Sequence, residues 1–563
     1  MKKIISTFYL ILVFFAAESQ NFNGFALYNT QGSSTTYLVD ENQNIAHSWS
    51  MSTDCNYTVA LKKNGNLIRG TTYNNNILNG AAYGGRVQEI DPNGNVVWDY
   101  IYSSANYLSH HDLTLIGDNV LLTAWEVKTS SEVTAAGYTG NVGSSGIWPT
   151  HFIELEPDGN GGANIVWEWH IWDHLCQDVD PNKPNYVSNI SDHPELIDIN
   201  MIQGGGSGPG GGGGDWFHVN GVDYNEELDQ IAFSSRFASE IYIIDHSTTT
   251  LQAASHAGGN SGMGGDILYR WGNPSNYGIP GTQVIPNAVH DVRWIENDGR
   301  PYGGYLQIFN NSGGGNGQST IDEIKTPWDS INNVYLRSSG QAFTPTSFSN
   351  RYTCMYSSPG QSASNRMSNG NIYVNASGGQ QGAGVMYEVD STGALIWGPH
   401  AAIGSNNGSQ KGFRYECNYP GILALEQFMN TATTSCFPLD SWDCDGNGKC
   451  FDPGTGNGQY SSLVQCQANC FSTAITELRG LKNLLIYPNP SRDIFNISFI
   501  VKKQQDLTIS IFNLLGENIM KKEIEQFIGE YKDQINLHSY SNGVYFFKIE
   551  TQAGVISKKI ILD

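Results

Sequence analysis

Charge is scarce in this chain. Only 15% of its 563 residues are Asp, Glu, Lys or Arg, and the basic ones are outnumbered, 30 against 53. A formal charge of −23 speaks against nucleic acid or an anionic lipid surface as partner, because the summed field repels both. Long apolar runs are lacking as well. The one candidate, Phe8 to Phe15, follows Lys2 and Lys3 and stops at Ala17-Glu18-Ser19. It is too short to span a bilayer, and its basic, apolar and small-residue order is that of a signal peptide. The expectation is an exported chain starting at Gln20 after removal of residues 1–19, with no stable membrane insertion. No Cys follows the cleavage site, so no lipid attachment is expected there.

Glycine and aromatic residues are abundant: 64 Gly, with Phe, Trp and Tyr at 12%. Many turns and many aromatics predict an all-β protein. Nine cysteines in an exported chain predict disulfides, and the odd number leaves at least one thiol without an internal partner. Cys436, Cys444, Cys450, Cys466 and Cys470 crowd together, whereas Cys55, Cys176, Cys354 and Cys417 are scattered. Residues 431–475 therefore read as a small disulfide-rich module. Within it, Asp443, Asp445 and Asn447 match the start of a calcium loop. The position of the obligatory bidentate Glu is Gly454, so the match fails.

A repeat organises most of the chain. One unit is a strand, an Asp-led turn, and a strand ending in Trp. It reads Val87-Gln88-Glu89-Ile90-Asp91-Pro92-Asn93-Gly94-Asn95-Val96-Val97-Trp98, and again Met386 to Trp397. Related copies run Tyr37 to Trp49, Phe152 to Trp167 and Ile241 to Trp271; the weakest pairs Ile321–Ile324 with Val334-Tyr335. Asn-Gly or Asp-Gly between alternating apolar runs signals a hairpin. A second hairpin unit lies between these, as in Tyr57–Ile68, Asp112–Leu122, Val219–Ser235, Asp291–Phe309 and Ser364–Val374. Two hairpins make a four-stranded blade, and six copies predict a six-bladed β-propeller over residues 20–430. Uneven spacing implies insertions, among them the Gly-rich stretch 203–214.

Three successive units open on a histidine. These are His110-His111-Asp112-Leu113, Phe217-His218-Val219 and His290-Asp291-Val292; Ser234-Ser235-Arg236 follows the second. Equivalent positions on the innermost strands would meet at one mouth of a central channel. Three imidazoles and a guanidinium there suit an oxyanion carrying a transferable group. The other histidines (His47, His151, His170, His174, His193, His246, His256, His400 and His538) lack this register and read as surface or structural. Two other readings are a binding or adhesion propeller with relict histidines, and a metal-dependent three-histidine enzyme. A guanidinium beside the site disfavours a cation, so no metal and no cofactor are expected.

These motifs, with Asp215-Trp216, Tyr269-Arg270-Trp271-Gly272-Asn273-Pro274, Arg293-Trp294 and Phe413-Arg414-Tyr415, resemble the bacterial arylsulfotransferases over roughly residues 25–430. The resemblance implies a six-bladed propeller that moves a sulfuryl group from a phenolic sulfate ester to another phenol. It implies a sulfated histidine and no nucleotide donor. It matches His290 to the nucleophile, and His111, His218 and Arg236 to its partners around the sulfuryl group. His111 is preferred to His110 because His111-Asp112-Leu113 aligns with His290-Asp291-Val292. The insertion after Trp172 and the Cys-rich module depart from the family pattern.

Residues 484–563 differ in character. Tyr487-Pro488-Asn489-Pro490 opens a Lys-rich region of short alternating strands: Ile494–Val501, Leu507–Phe512, Val544–Glu550 and Val555–Leu562. They predict a small β-sandwich. It resembles the C-terminal sorting domain of the type IX secretion system of Bacteroidetes, down to Lys558-Lys559-Ile560-Ile561-Leu562. That implies the secretion machinery as partner and a secreted or cell-surface destination. Association into a homo-oligomer is left open.

Overall fold

A computed structural model describes residues 24–203, 214–279, 281–403, 408–429, 436, 442–445, 449–451, 459–460, 463–470, 481–551 and 554–563. The expected signal peptide, most of the Gly-rich stretch, Asn447 and Gly454 lie outside the described residues. The chain divides into two compact units, Met1–Phe437 and Pro438–Asp563.

Among the described residues, the first unit holds six four-stranded antiparallel sheets. Their inner strands are Cys55–Leu61, Tyr107–Ile116, Val219–Asn225, Val289–Trp294, Ala363–Arg366 and Gly412–Glu416. The sixth sheet joins both ends of the unit, because Gly412–Glu416 pairs with Gly24–Tyr28. The Asp-led turns explain why the outer hairpins form where the sequence predicts. Asp91 Oδ1 accepts the amides of Asn93 and Asn95 at 2.9 and 2.8 Å, and Asp390 repeats this with Thr392 and Ala394. Gly94 and Gly393 supply the positive φ that closes each turn. The terminal Trp residues are buried between sheets; Trp49 Nε1 donates to Asp91 O of the next sheet at 3.1 Å.

Neighbouring inner strands are tied by short polar side chains, and the ties close a ring. Asn29 donates to Thr58 O. Thr58 donates to Asp112, which accepts from Val222 N. Asn220 donates to Val289 O, and Asp291 accepts from Ser364 N. Asn365 Oδ1 accepts from Arg414 N in the sheet that carries Asn29. Lys411 sits inside, fully buried, with Nζ at 2.6 Å from Asp112 and 3.1 Å from Asp291. Lys411 pairs with both carboxylates, Arg293 adds the second positive charge at 3.2 Å from Asp291, and removing Lys411 would strand two buried carboxylates.

Three expectations change. Thr320–Ile324 pairs with Asn350–Thr353, not with Val334–Tyr335, which instead pairs with Trp328–Asp329. Cys436 pairs with the scattered Cys417, while Cys444–Cys470 and Cys450–Cys466 close within the second unit. Cys55, Cys176 and Cys354 are free and buried. In the second unit, the short strands predicted at Ile494–Val501 and Leu507–Phe512 are one strand, Ile494–Asn513, broken in register between Val501 and Leu507. It is flanked by Asn518–Asn536, a strand the sequence reading missed. The apolar side chains Phe495, Ile497, Phe499 and Val501 alternate and face a core shared with Phe547 and Ile549.

Candidate active site

The three inner strands that begin near a histidine belong to consecutive sheets, and each is interrupted near it. The register shifts between Ser109 and Leu113, between Val219 and Gly221, and between His290 and Arg293. These bulges coincide with left-handed backbone at His111, His218, Ala288 and Asp291. Gln361 and Ser362, facing His290, are left-handed as well. Non-glycine residues in this region store strain, and such strain concentrates where a side chain must be aimed.

The aim is common to all three. The rings of His111 and His218 lie 4.6 Å apart, edge to face. His111, His218 and His290 are all buried, and His290 is close enough to His218 and Arg236 for their charges to act on it. Arg236 ends the strand antiparallel to the one opened by His218, and its amide donates to His218 O at 3.1 Å. Its guanidinium donates to Pro359 O at 3.3 Å, and His290 Nε2 accepts from Gln361 N at 3.1 Å. The two side chains thus meet the same short segment. All four residues expected from the sequence are brought together.

His290 has a defined tautomer. Nδ1 faces two acceptors, Ala288 O at 2.9 Å and Asn311 Oδ1 at 2.7 Å, so it carries the proton. Asn311 is oriented by donating to Ser358 O and Gln361 O. The lone pair is on Nε2, where it accepts from Gln361 N and must be released from that contact to attack. Burial, reinforced by Arg236 and His218, holds the His290 pKa well below its usual value. The ring is therefore neutral at neutral pH, the state in which an imidazole is a nucleophile. Burial and His218 do the same for His111. His110 is likewise neutral, pushed down to about 3 by burial. It stacks on Trp125 at 4.0 Å and contacts His111 Nδ1 to Nδ1 at 2.7 Å.

His218 is held differently. Its Nδ1 lies 2.5 Å from Asp215 Oδ2, and its own amide donates to Asp215 Oδ1 at 3.1 Å. Trp125 Nε1 also donates to Asp215 Oδ1. Burial would raise the Asp215 carboxyl, but His218 outweighs it and the pKa is lowered. A carboxylate on Nδ1 leaves Nε2 free to take or give a proton, the arrangement of an acid–base histidine. Arg236 has no carboxylate partner among the described residues, and burial is what lowers its pKa. A half-buried guanidinium with one carbonyl contact is prepared for an anion.

The roles of Asp215, Asn311, Lys411 and Tyr57 escaped sequence reasoning. The Tyr57 ring lies 5.9 Å from His111, edge to face, and burial pushes its hydroxyl up to about 12. Asp215 stood inside a recognised motif, three residues before His218, and that spacing was the available signal. Lys411 and Asn311 are single polar residues with no local pattern. A cavity of about 1010 Å³ opens elsewhere, at the opposite ends of the inner strands, lined by Leu61, Leu115, Tyr224, Trp294 and Tyr415.

No curated protein matches the chain. Among solved structures, a protein of unknown function from Bacteroides caccae is 11% identical, with a TM-score of 0.38, over 70% of this chain and 98% of that one. Kuenenia stuttgartiensis hydrazine synthase is 12% identical, with a TM-score of 0.32, over 54% and 69%. The Cps50 β-propeller domain from Myceliophteria thermophila is 10% identical, with a TM-score of 0.27, over 66% and 84%. At such distances none bears on function. Family models are more telling. Residues 485–563 match the secretion system C-terminal sorting domain, so the chain carries a type IX sorting domain for export to the surface or medium. Residues 8–333, more than half of the chain and inclusive of His111, His218, Arg236 and His290, match the arylsulfotransferase model, and the chain belongs to the arylsulfotransferase family.

Proposed function

We propose that this sulfotransferase moves a sulfuryl group from a phenolic sulfate ester to an acceptor phenol in two steps, through a sulfated His290 and without a nucleotide donor. The observation that carries the reading is a neutral, buried His290, with its lone pair on Nε2, beside an Arg236 that has no carboxylate partner among the described residues. Sulfuryl transfer, like phosphoryl transfer, spreads charge over equatorial oxygens and is served mainly by positioning and electrostatics. In the first step the Nε2 lone pair of His290 forms the N–S bond. The S–O bond to the donor breaks, and the departing phenolate takes the electron pair and a proton from His218. Arg236 holds the sulfuryl oxygens, His111 closes the cluster, and the proton of His290 stays on Nδ1, donated to Asn311 Oδ1. In the second step His218 takes the acceptor's proton, the phenolate oxygen attacks sulfur, and the N–S bond breaks.

The six sheets are read as the blades of a propeller over residues 20–430, tied at the centre by the polar ring. The Cys-rich segment 431–475 is read as a separate module, and residues 484–563 as a sandwich that serves as an address. The deciding experiment is incubation of the mature chain with a chromogenic aryl sulfate, with and without a second phenol. Faster phenol release with acceptor, and no need for a nucleotide sulfate, is expected. No turnover with any aryl sulfate would refute the reading.

A further inference from the structure

Away from the histidine cluster, and sharing no residue with it, three metal-ligating side chains converge on one point. His174 ends the turn Ile171–His174 that follows the outer strand Ala163–His170. His256 and Asp266 flank a loop between the short helix Thr250–Ala253 and the strand Ile267–Trp271. Nδ1 of His174 lies 2.8 Å from Asp266 Oδ1, and Nδ1 of His256 lies 2.7 Å from the same oxygen. The candidate ligand atoms are all within 4.8 Å of one another.

We propose that His174, His256 and Asp266 bind one zinc ion that fastens the 254–266 loop to the edge of the second sheet. Four observations support it. His174 Nε2 faces Ala253 O at 2.8 Å and can only donate there. That contact fixes the ring so that Nδ1, which faces Asp266 Oδ1, can present its lone pair to an ion in place of a proton, as the outer partner of a metal-bound histidine usually arranges. The His174 ring is fully buried and stacked on Trp169 at 5.6 Å and 5°, so its direction is set before any ion arrives. Gly265 lets the loop approach: a Cβ there would lie 2.0 Å from Ala253 O and 2.7 Å from His174 Nε2. The His256 side chain is 61% exposed while the other two are buried, so it can swing as a closing arm and leave a fourth position to water.

The donor set selects the ion. Two imidazoles and one carboxylate suit zinc, whereas calcium and magnesium prefer all-oxygen shells. Bonds of about 2.0–2.1 Å in a tetrahedron separate ligands by about 3.3 Å. Both nitrogen–oxygen gaps must therefore widen by roughly half an ångström: the exposed His256 does so by swinging, and Asp266, on the loop the ion would fasten, by shifting away from the fixed His174 ring. The ion would be structural, a clamp on an insertion.

The test uses the full mature chain, stripped with chelator and dialysed against micromolar zinc. Elemental analysis should find one zinc per chain, and none in His256→Ala or Asp266→Asn. Cobalt in place of zinc should give visible d–d bands that both variants lose. Zinc should raise the melting temperature of the parent by several degrees and leave His256→Ala unmoved, while initial rates with aryl sulfate stay equal. Zinc uptake only at millimolar concentration, or none, would show that the three side chains are merely hydrogen-bonded. Zinc retained in His256→Ala and lost in His111→Ala would place the ion in the histidine cluster. Either result overturns the proposal.

Discussion

Replacing Asp215 by Asn should separate the two half-reactions. Asp215 Oδ2 holds His218 Nδ1 at 2.5 Å, while Oδ1 accepts from the His218 amide and from Trp125. Asn can keep the Oδ1 contacts, so the fold should survive. Its amide then donates where the carboxylate accepted, and the His218 proton moves from Nδ1 to Nε2. In that tautomer Nε2 is an N–H donor with no lone pair, so it cannot take a proton. Loss of a positioned base costs roughly 10²–10⁴ in rate, or about 3–5 kcal/mol of barrier at about 1.36 kcal/mol per tenfold. The loss should fall on the second step, in which the acceptor phenol must be deprotonated. Donors with acidic leaving groups need no proton, so the first step should be nearly unchanged. Stopped-flow with nitrophenyl sulfate should show a burst equal to the enzyme concentration, then slow turnover with stable label on the protein. Equal slowing of both phases, or normal turnover, would refute the role given to His218 and Asp215.

His290→Ala should abolish both turnover and the acid-labile sulfated peptide; a label mapped to another residue would disprove the nucleophile. Arg236→Ala should lower kcat/KM by roughly 10²–10³, the scale of a lost oxyanion donor, and Arg236→Lys should recover only part because a point charge lacks the forked contact; unchanged kinetics would mean that the guanidinium does not face the sulfuryl group. His110, His111, His151 and His290 are buried with lowered pKa values. The unfolded chain binds protons there that the folded chain refuses, so stability should fall as pH drops below about 6.5, by about 1.4 kcal/mol per unit for each. His170, raised to about 9 by Glu126 and Glu168 against its burial, is already protonated in that window and adds no slope; a melting temperature flat between pH 7 and 5 would contradict this. A chain ended before Leu481 should turn over normally in vitro but stay in the periplasm of its host; secretion of the truncated chain would argue against the sorting role.

Local chemistry explains what could be read early. The Asp-led turns write their own hydrogen bonds within five residues, so the outer hairpins were legible at Asp91 and Asp390. The weakest repeat failed because the partner of Thr320–Ile324 arrives only at Asn350, after an excursion whose own hairpin, Trp328–Tyr335, imitates it. The strand Asn518–Asn536 was missed because it pairs on one side only, and its mostly exposed Lys and Glu residues erase the apolar alternation. At the site, repeat register carried His111, His218, Arg236 and His290. Nothing in register could reveal that Lys411, more than a hundred residues beyond His290, bridges Asp112 and Asp291. Such contacts exist only once the ring has closed.

That closure also sets an order of events for a polypeptide that must leave the cell. The sixth sheet needs Gly24–Tyr28 and Gly412–Glu416 together, so Gly24–Tyr28, paired on one side with Thr35–Val39, must wait with its other edge open until nearly four hundred residues have followed it. Bringing such distant ends together is entropically costly and slow. Cys417 comes immediately after the closing strand and joins Cys436. Both cysteines lie beyond the closing strand, so the bond sits next to the seam without crossing it, and it persists only where conditions are oxidising. The histidine cluster, whose Asp ties depend on the same ring, is complete only when these distant ends have met.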